Sequence, residues 1–429
     1  LDFSAKTKGG NPMDLTDQNL SHFMELPDRD IFAKTRPFMD FMNALKKEEY
    51  FHWHRILTSP SEHRVKIHDI YTGEIREMVM MASNNYLGLT THPRVVEAGL
   101  KAQERYGAGA GSVPLLGGSL DLHRELEQRL AKIKGCEDAI IFTSGYSSNV
   151  GCVSALVRHG DVAINDRLNH ASILDGCKLS GGMLRAFKHN NMESLERVLT
   201  ECDNEFNGKL VIVDGVFSMD GDITPLPDVL RIAHAHGARV MIDEAHATGV
   251  IGEHGFGTPE HFHVEGQVDI VAGTLSKALG GVGGFVASSK EVVNYLRFYA
   301  RSYMFSTALP PAVTGSLIAA IDVIETEPEL REKLWYNIRH MMDNLRRMGF
   351  DLGRAETAII PIIVPDERIL KLMSREIHQA GIFLNPVYYP AVPKKLSRLR
   401  LSLMATHTQE DLDDTLAVLE RVGKKYGII

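Results

Sequence analysis

Val240-Met241-Ile242-Asp243-Glu244-Ala245-His246 is a short apolar run that ends on a carboxylate, and the same grammar recurs on both sides of it. Upstream, Leu210 to Val213 stops at Asp214, and Ala139 to Thr143 stops at Ser144-Gly145-Tyr146. Downstream, Ile270 to Ala272 runs into Gly273-Thr274-Leu275-Ser276-Lys277. Each run is short and closed by a polar or glycine stop, and the gaps between runs hold crossover helices such as Val229 to His236. Alternation of this kind predicts an α/β fold: a mostly parallel sheet with helices on both faces.

Working outward, Ser119 to Lys134 sets Leu122, Leu126, Leu130 and Ile133 on one helical stripe, with Gly135 as the stop. Pro310-Pro311 marks a break. A long helical stretch from Ala312 to Arg347 follows, then strands at Ile359 to Val364 and Arg398 to Leu403 and a last helix from Glu410. Residues 28–57 carry aromatic and apolar positions within charged text and predict an amphipathic helical arm. The expected organisation is a lead-in and arm over 1–80, a large domain over 81–310 and a smaller α+β domain over 311–429. The first twelve residues read as a flexible lead-in.

With 47 Lys and Arg against 55 Asp and Glu, the chain carries a net charge of −8. A mild acidity argues against nucleic acid or anionic lipid as partner. No apolar run is long enough to span a bilayer, and Leu1 to Leu20 lacks the apolar centre of a signal peptide. The four cysteines lack Cys-x-x-Cys spacing, which argues against a disulfide framework and a zinc site. A soluble, cytoplasmic enzyme without a bound metal is the expectation.

Ligands of open parallel sheets gather outside the carboxyl ends of the strands. Lys277, flanked by a glycine-rich turn, suits a dry setting where an amine loses its proton and condenses with an aldehyde. Alone, such a lysine is more often a solvated surface residue. Thr274, Ser276, Ser144 and the amides of Gly145 and Tyr146 suit a phosphate monoester at a helix start, though for that loop alone an ordinary strand-to-helix turn is the better explanation. Asp243 would pair with a protonated pyridine nitrogen and keep the ring electron-accepting; a helix cap is its plain alternative. His170 and His246 complete the set, with packing or hydrogen bonding as their ordinary roles. The Asp-Glu-Ala-His spelling also belongs to some helicases, but no Gly-x-x-x-x-Gly-Lys-Ser/Thr loop accompanies it and that reading fails.

Taken in order, several motifs resemble the α-oxoamine synthases, pyridoxal 5'-phosphate enzymes of fold type I. They are Ser83-Asn84-Asn85-Tyr86-Leu87-Gly88-Leu89, Thr143-Ser144-Gly145-Tyr146, Asn169-His170-Ala171-Ser172 and Phe217-Ser218-Met219-Asp220-Gly221-Asp222. Asp243 to His246, Gly273 to Lys277, Phe305-Ser306-Thr307 and Arg400 with Ala405-Thr406-His407-Thr408 complete the series. The resemblance implies that Lys277 carries the cofactor as a Schiff base, Asp243 meets the pyridine nitrogen, His170 stacks on the ring and His246 bonds the phenolic oxygen. It implies cofactor contacts from Ser144, Gly145, Tyr146, Ser218, Thr274 and Ser276. Ser306 and Thr307 would reach the phosphate of a neighbouring subunit in a homodimer with shared sites. Asn85 and Arg400 would hold the substrate carboxylate, a task that suits a guanidinium.

The reaction so implied joins a small amino acid to an acyl thioester, carried by CoA or a carrier protein, with loss of thiol and carbon dioxide. Within the family, the stretch from Phe305 onward is most similar to bacterial serine palmitoyltransferases, whereas Thr274 to Gly281 leans towards 2-amino-3-ketobutyrate CoA ligase. One departure stands out: Gly111-Ser112-Val113-Pro114-Leu115-Leu116 has proline where many members carry arginine. The apolar Val113 to Leu116 stretch points to a medium or long acyl chain. An aminotransferase using the same residues is the competing enzyme, and a non-catalytic partner subunit the competing non-enzyme.

Overall fold

β-Branched runs of five or six residues form strands because their restricted side chains suit a pleated, two-faced surface. In the computed structural model, which describes residues 18–25, 28 and 30–429, seven such runs make one sheet. From edge to edge they are Asp138–Phe142, Gly284–Ser288, Ile270–Thr274, Arg239–Asp243, Lys209–Asp214, Val162–Asp166 and Met183–Phe187. Gly284–Ser288 runs antiparallel to both neighbours, and the other pairings are parallel. The expected α/β architecture is present, with three strands beyond those anticipated.

Side-chain alternation along each strand divides the core. Ile140, Phe142, Ile212, Met241, Ala272 and Val286 join Cys152, Val153, Ile173 and Leu296 on one side. Ile141, Val211, Val213, Val240, Ile242 and Val271 join Leu126, Leu230 and Leu317 on the other. Helices therefore cover both faces, and polar groups are displaced to the strand ends. The predicted stripe helix spans Asp121–Ile133, with Leu126, Leu130 and Ile133 buried and Gly135 in the left-handed region at φ 63°.

Two expectations need correction. The long helical stretch is two helices, Pro311–Thr326 and Pro328–Met348. Glu327 adopts φ −125°, ψ 65° between them, because the proline ring pushes the preceding residue out of the helical region. Among the described residues of the N-terminal arm, 28–57, only Thr35–Lys47 is helical. Beyond it, Ile56–Leu57, Arg64–His68 and Ile75–Met80 are strands, completed by Ile382–Phe383 in parallel with Ile75–Met80. That partner lies some three hundred residues away, so no local pattern announces the sheet. Residues 1–12 fall outside the described residues. A third, antiparallel sheet of Ile359–Ile363, Arg398–Ser402 and Asn385–Val387 sets Arg400 at its centre. Among the described residues, no helix is long and apolar enough to cross a membrane.

Candidate active site

The carboxyl ends of the parallel strands deliver Asp243, Asp214 and Thr274 to one place. Asp243 is 5% exposed. Its Oδ2 accepts from Asn149 Nδ2 at 2.7 Å and its Oδ1 from the amide of Ala245 at 2.9 Å. The chain after it is a series of turns, and the next helix begins at Thr258. A helix-capping role is thereby removed. Asp214 beside it is buried, and burial, with the Asp243 charge second, holds its carboxyl well above the usual range.

Asn149 donates its other amide proton to Ser172 Oγ at 2.9 Å, and that hydroxyl lies 2.7 Å from Nδ1 of His170. The backbone N–H of Ser172 donates to Nδ1 at 3.3 Å, and the hydroxyl, accepting from Asn149, has its proton free for the same atom, so Nδ1 is the acceptor and Nε2 carries the ring hydrogen. His170 also caps the helix Ala171–Ser180. Burial depresses its proton affinity, so the ring is neutral.

Lys277 stands on the turn after Ile270–Thr274 with Nζ 2.6 Å from Nε2 of His246. Burial pulls the amine down to about 8 against the opposing pull of Asp243. A substantial neutral fraction is therefore present near neutrality. His246 is held well below its ordinary value by burial and then by Lys277. Its Nδ1 lies 2.6 Å from the phenol of Tyr86, which donates to Asn84 Oδ1 at 3.2 Å.

Arg400 donates from Nε to the carbonyl of Ser218 at 2.7 Å and from one terminal nitrogen to Ser402 Oγ at 2.8 Å. Both terminal nitrogens reach Asn84 Oδ1 at 3.4 Å. The expected pair was Asn85 with Arg400. Asn84, not Asn85, faces Arg400. Asn85 spends its amide on Thr90 Oγ1 at 2.7 Å and the carbonyl of Ser61 at 3.1 Å, pinning the loop. Neighbouring residues of an extended segment point opposite ways, and the sequence does not say which faces inward. Ser218 meets Arg400 through its backbone.

Ser144 caps the helix Gly145–Leu156 in a reciprocal capping box with Ser147, which leaves the first-turn amides of Gly145 and Tyr146 without intrahelical partners. A Cβ on Gly145 would lie 2.8 Å from Cβ of Thr274, so the two turns pack without room for a side chain. Thr274 Oγ1 and Ser276 Oγ are 2.8 Å apart beside them. The Tyr146 phenol donates to Asp175, so only its amide is available to the turn. Ser306 and Thr307 line a separate cavity of about 130 Å³ with Thr143, Arg297 and Tyr303.

Sequence reading missed Asn149 and the inward roles of Asn84 and Tyr86. Asn149 leaves a trace, since a buried amide on an otherwise small and apolar helix needs a partner. Asn84 and Tyr86 sit inside a quoted motif, but their contacts are with residues far along the chain.

Residues 76–419 match the family model described as aminotransferase class I and II. An 8-amino-7-oxononanoate synthase of Thermoanaerobacter pseudethanolicus is 44% identical over 90% of this chain and 97% of its own length. The 4-hydroxy-2,2'-bipyrrole-5-methanol synthase PigH of Serratia sp. is 42% identical over 98% of this chain, which spans only 63% of PigH. Among solved structures, a serine palmitoyltransferase variant from S. paucimobilis with bound PLP-myriocin aldimine superposes with a TM-score of 0.88 at 33% identity. That match covers 94% of this chain and all of the other.

Proposed function

The chain belongs to the aminotransferase class I and II family and, within it, to the α-oxoamine synthases, and from that premise we propose that it condenses a small amino acid with an acyl thioester. It is a pyridoxal-phosphate-dependent acyltransferase. In the proposed reaction the Cα–H and Cα–carboxyl bonds of the amino acid break and a Cα–acyl bond forms. The acyl–sulfur bond breaks and the thiol leaves with a proton; carbon dioxide departs, and Cα then takes up a proton from water in place of the lost carboxyl.

The residues present fit the cofactor. A part-buried amine with depressed proton affinity, a buried carboxylate and a helix start with two free amides are the donor set that an aldehyde, a pyridine nitrogen and a phosphate require. Lys277 would hold the aldehyde carbon, Asp243 the ring nitrogen, and Gly145, Tyr146, Thr274 and Ser276 the phosphate; His170 and His246 would flank the ring. When bound, pyridoxal phosphate supplies the electron sink that stabilises a carbanion at Cα. Asn149 keeps Asp243 oriented by donating to it. Arg400, braced by Ser218 and Ser402, presents its terminal nitrogens to the amino-acid carboxylate, with Asn84 beside them. Lys277, neutral in part near pH 8, takes the proton from Cα.

The single observation that carries this reading is the Lys277 amine, part-buried, 2.6 Å from a neutral His246 and within the field of Asp243. Leu116, Phe298 and Phe305, exposed at 85%, 61% and 69%, support a homodimer in which Ser306 and Thr307 complete the neighbouring phosphate site. The apolar Leu115 and Leu116 support a medium or long acyl chain. The test is a panel of amino acids and acyl thioesters of graded length, read by free thiol and released carbon dioxide. Stoichiometric release of both with a long acyl donor is expected. Amine exchange with α-keto acids and no thiol would replace the reading with an aminotransferase.

A further inference from the structure

Arg400 lies about three side chains from Lys277, and a continuous hydrogen-bonded path joins them: Arg400, Asn84, Tyr86, His246, Lys277. The direction of every bond in the path follows from its first member. A guanidinium only donates, so the atom of Asn84 that faces it is the carbonyl oxygen, which Ser402 Oγ also reaches at 3.4 Å. Tyr86 OH touches that oxygen at 3.2 Å and Nδ1 of His246 at 2.6 Å, and it has one proton. Turning the proton to His246 would set the phenol oxygen 3.2 Å from the amide oxygen with no proton of its own between them, Arg400 being the group that faces both. Turning it to Asn84 lets both contacts be hydrogen bonds, with Nδ1–H of His246 donating to the phenol oxygen.

We infer that Tyr86 is a positioning residue: through Asn84 and Arg400 it holds His246 in the Nδ1–H tautomer, so that Nε2 is an acceptor aimed at Lys277. The inference rests on the reading that Lys277 is the reacting amine. Tyr86 is 1% exposed, and burial holds its phenol protonated, with an affinity pushed up to about 12. His246 is neutral, faced by Lys277, Arg400 and His170. Lys277 is faced in turn by Asp243, Arg400 and Asp214. An acceptor at Nε2 stabilises the protonated form of whatever nitrogen stands at Lys277, and the opposite tautomer would stabilise the bare form. The path also ends on the guanidinium that would take the substrate carboxylate. Occupation of Arg400 would therefore draw on the Asn84 contact and be felt at the reacting amine.

The test uses histidine-¹⁵N-labelled, cofactor-free protein, with His246 assigned by its loss in His246→Gln. The wild type is expected to show a protonated Nδ1 and a bare Nε2. Tyr86→Phe keeps the ring but removes the acceptor, and Asn84→Leu frees the Tyr86 proton to turn towards Nδ1; both should shift His246 towards Nε2–H. In the cofactor-loaded protein, the pH at which the absorbance band changes should fall by about one unit in Tyr86→Phe. A wild-type Nε2–H tautomer, or two folded variants that leave both the tautomer and the spectral pH unmoved, would overturn the inference. None of these measurements uses substrate, so failure of the condensation reaction would leave them standing.

Discussion

In the proposed reaction Asp243 and Lys277 divide the chemistry between them, and each can be removed without emptying the core. Asp243→Asn keeps shape and the Ala245 contact while deleting the charge, so turnover should drop about a hundredfold or more, with the melting temperature nearly unchanged. Kinetics within a few-fold of wild type would remove Asp243 from the site. Arg400→Lys retains a cation but loses the fork that bonds Ser218, Ser402 and Asn84 together. The expected result is a raised KM for the amino acid, with the thioester KM little affected. Legibility at this scale was uneven. Lys277, Asp243, His170 and His246 stand at strand or helix ends, where polar residues after apolar runs advertise themselves. Asn84 was passed over for its neighbour, because one residue of register decides which side chain faces the guanidinium.

At the scale of elements, the site depends on how closely the strands and turns approach. Gly284 opens the antiparallel strand, and a Cβ there would lie 2.4 Å from the carbonyl oxygen of Ser144. Gly284→Ala should push out the turn that caps Gly145–Leu156, weakening cofactor binding and costing about 1–3 kcal/mol in unfolding free energy. Equilibrium dialysis and urea unfolding measure the two effects. Behind Asp243, Lys134 reaches from the end of Asp121–Ile133 into the core. Its Nζ donates to Glu244 at 3.4 Å, Thr248 Oγ1 at 2.7 Å and the carbonyl of Phe256 at 2.6 Å. Lys134→Met would leave the buried Glu244 carboxyl without its lysine partner, a loss of about 3–5 kcal/mol, and Lys134→Met with Glu244→Leu should recover part of it. The parallel strands were legible because each is a compact apolar run with a polar stop. The N-terminal sheet was not, since its fourth strand arrives from Ile382–Phe383. The split at Glu327–Pro328 was legible in principle, because proline restricts the residue before it.

Across the whole molecule, buried histidines set the pH range of stability. Burial pushes His52 down to about 3 and His378 and His407 to about 4. His407 ties Met404 to Met80, and His378 faces Asp69, so these rings join the C-terminal elements to the N-terminal sheet. Their folded-state values lie below the unfolded value of 6.5. Their contribution is therefore complete above pH 6.5 and is lost as pH falls from 6.5 towards 4, each by up to about 1.4 kcal/mol per unit. His189 has the opposite sign. Bonds from Asp166 and Asp222 outweigh its burial and raise it to about 10, so its contribution is present below pH 6.5 and lost as pH rises towards 10. Thermal melting across pH 4–10 should show a maximum near 6.5–7 and a steep acid limb. A curve flat between pH 4 and 6 would contradict the neutral, buried state of the three rings.

The most direct test of the account concerns one nitrogen. Protein loaded with pyridoxal phosphate, reduced with borohydride and digested should yield the cofactor adduct on the peptide containing Lys277, and Lys277→Ala should yield none. An adduct on a different lysine, or an undiminished one in Lys277→Ala, would contradict the assignment on which the rest is built.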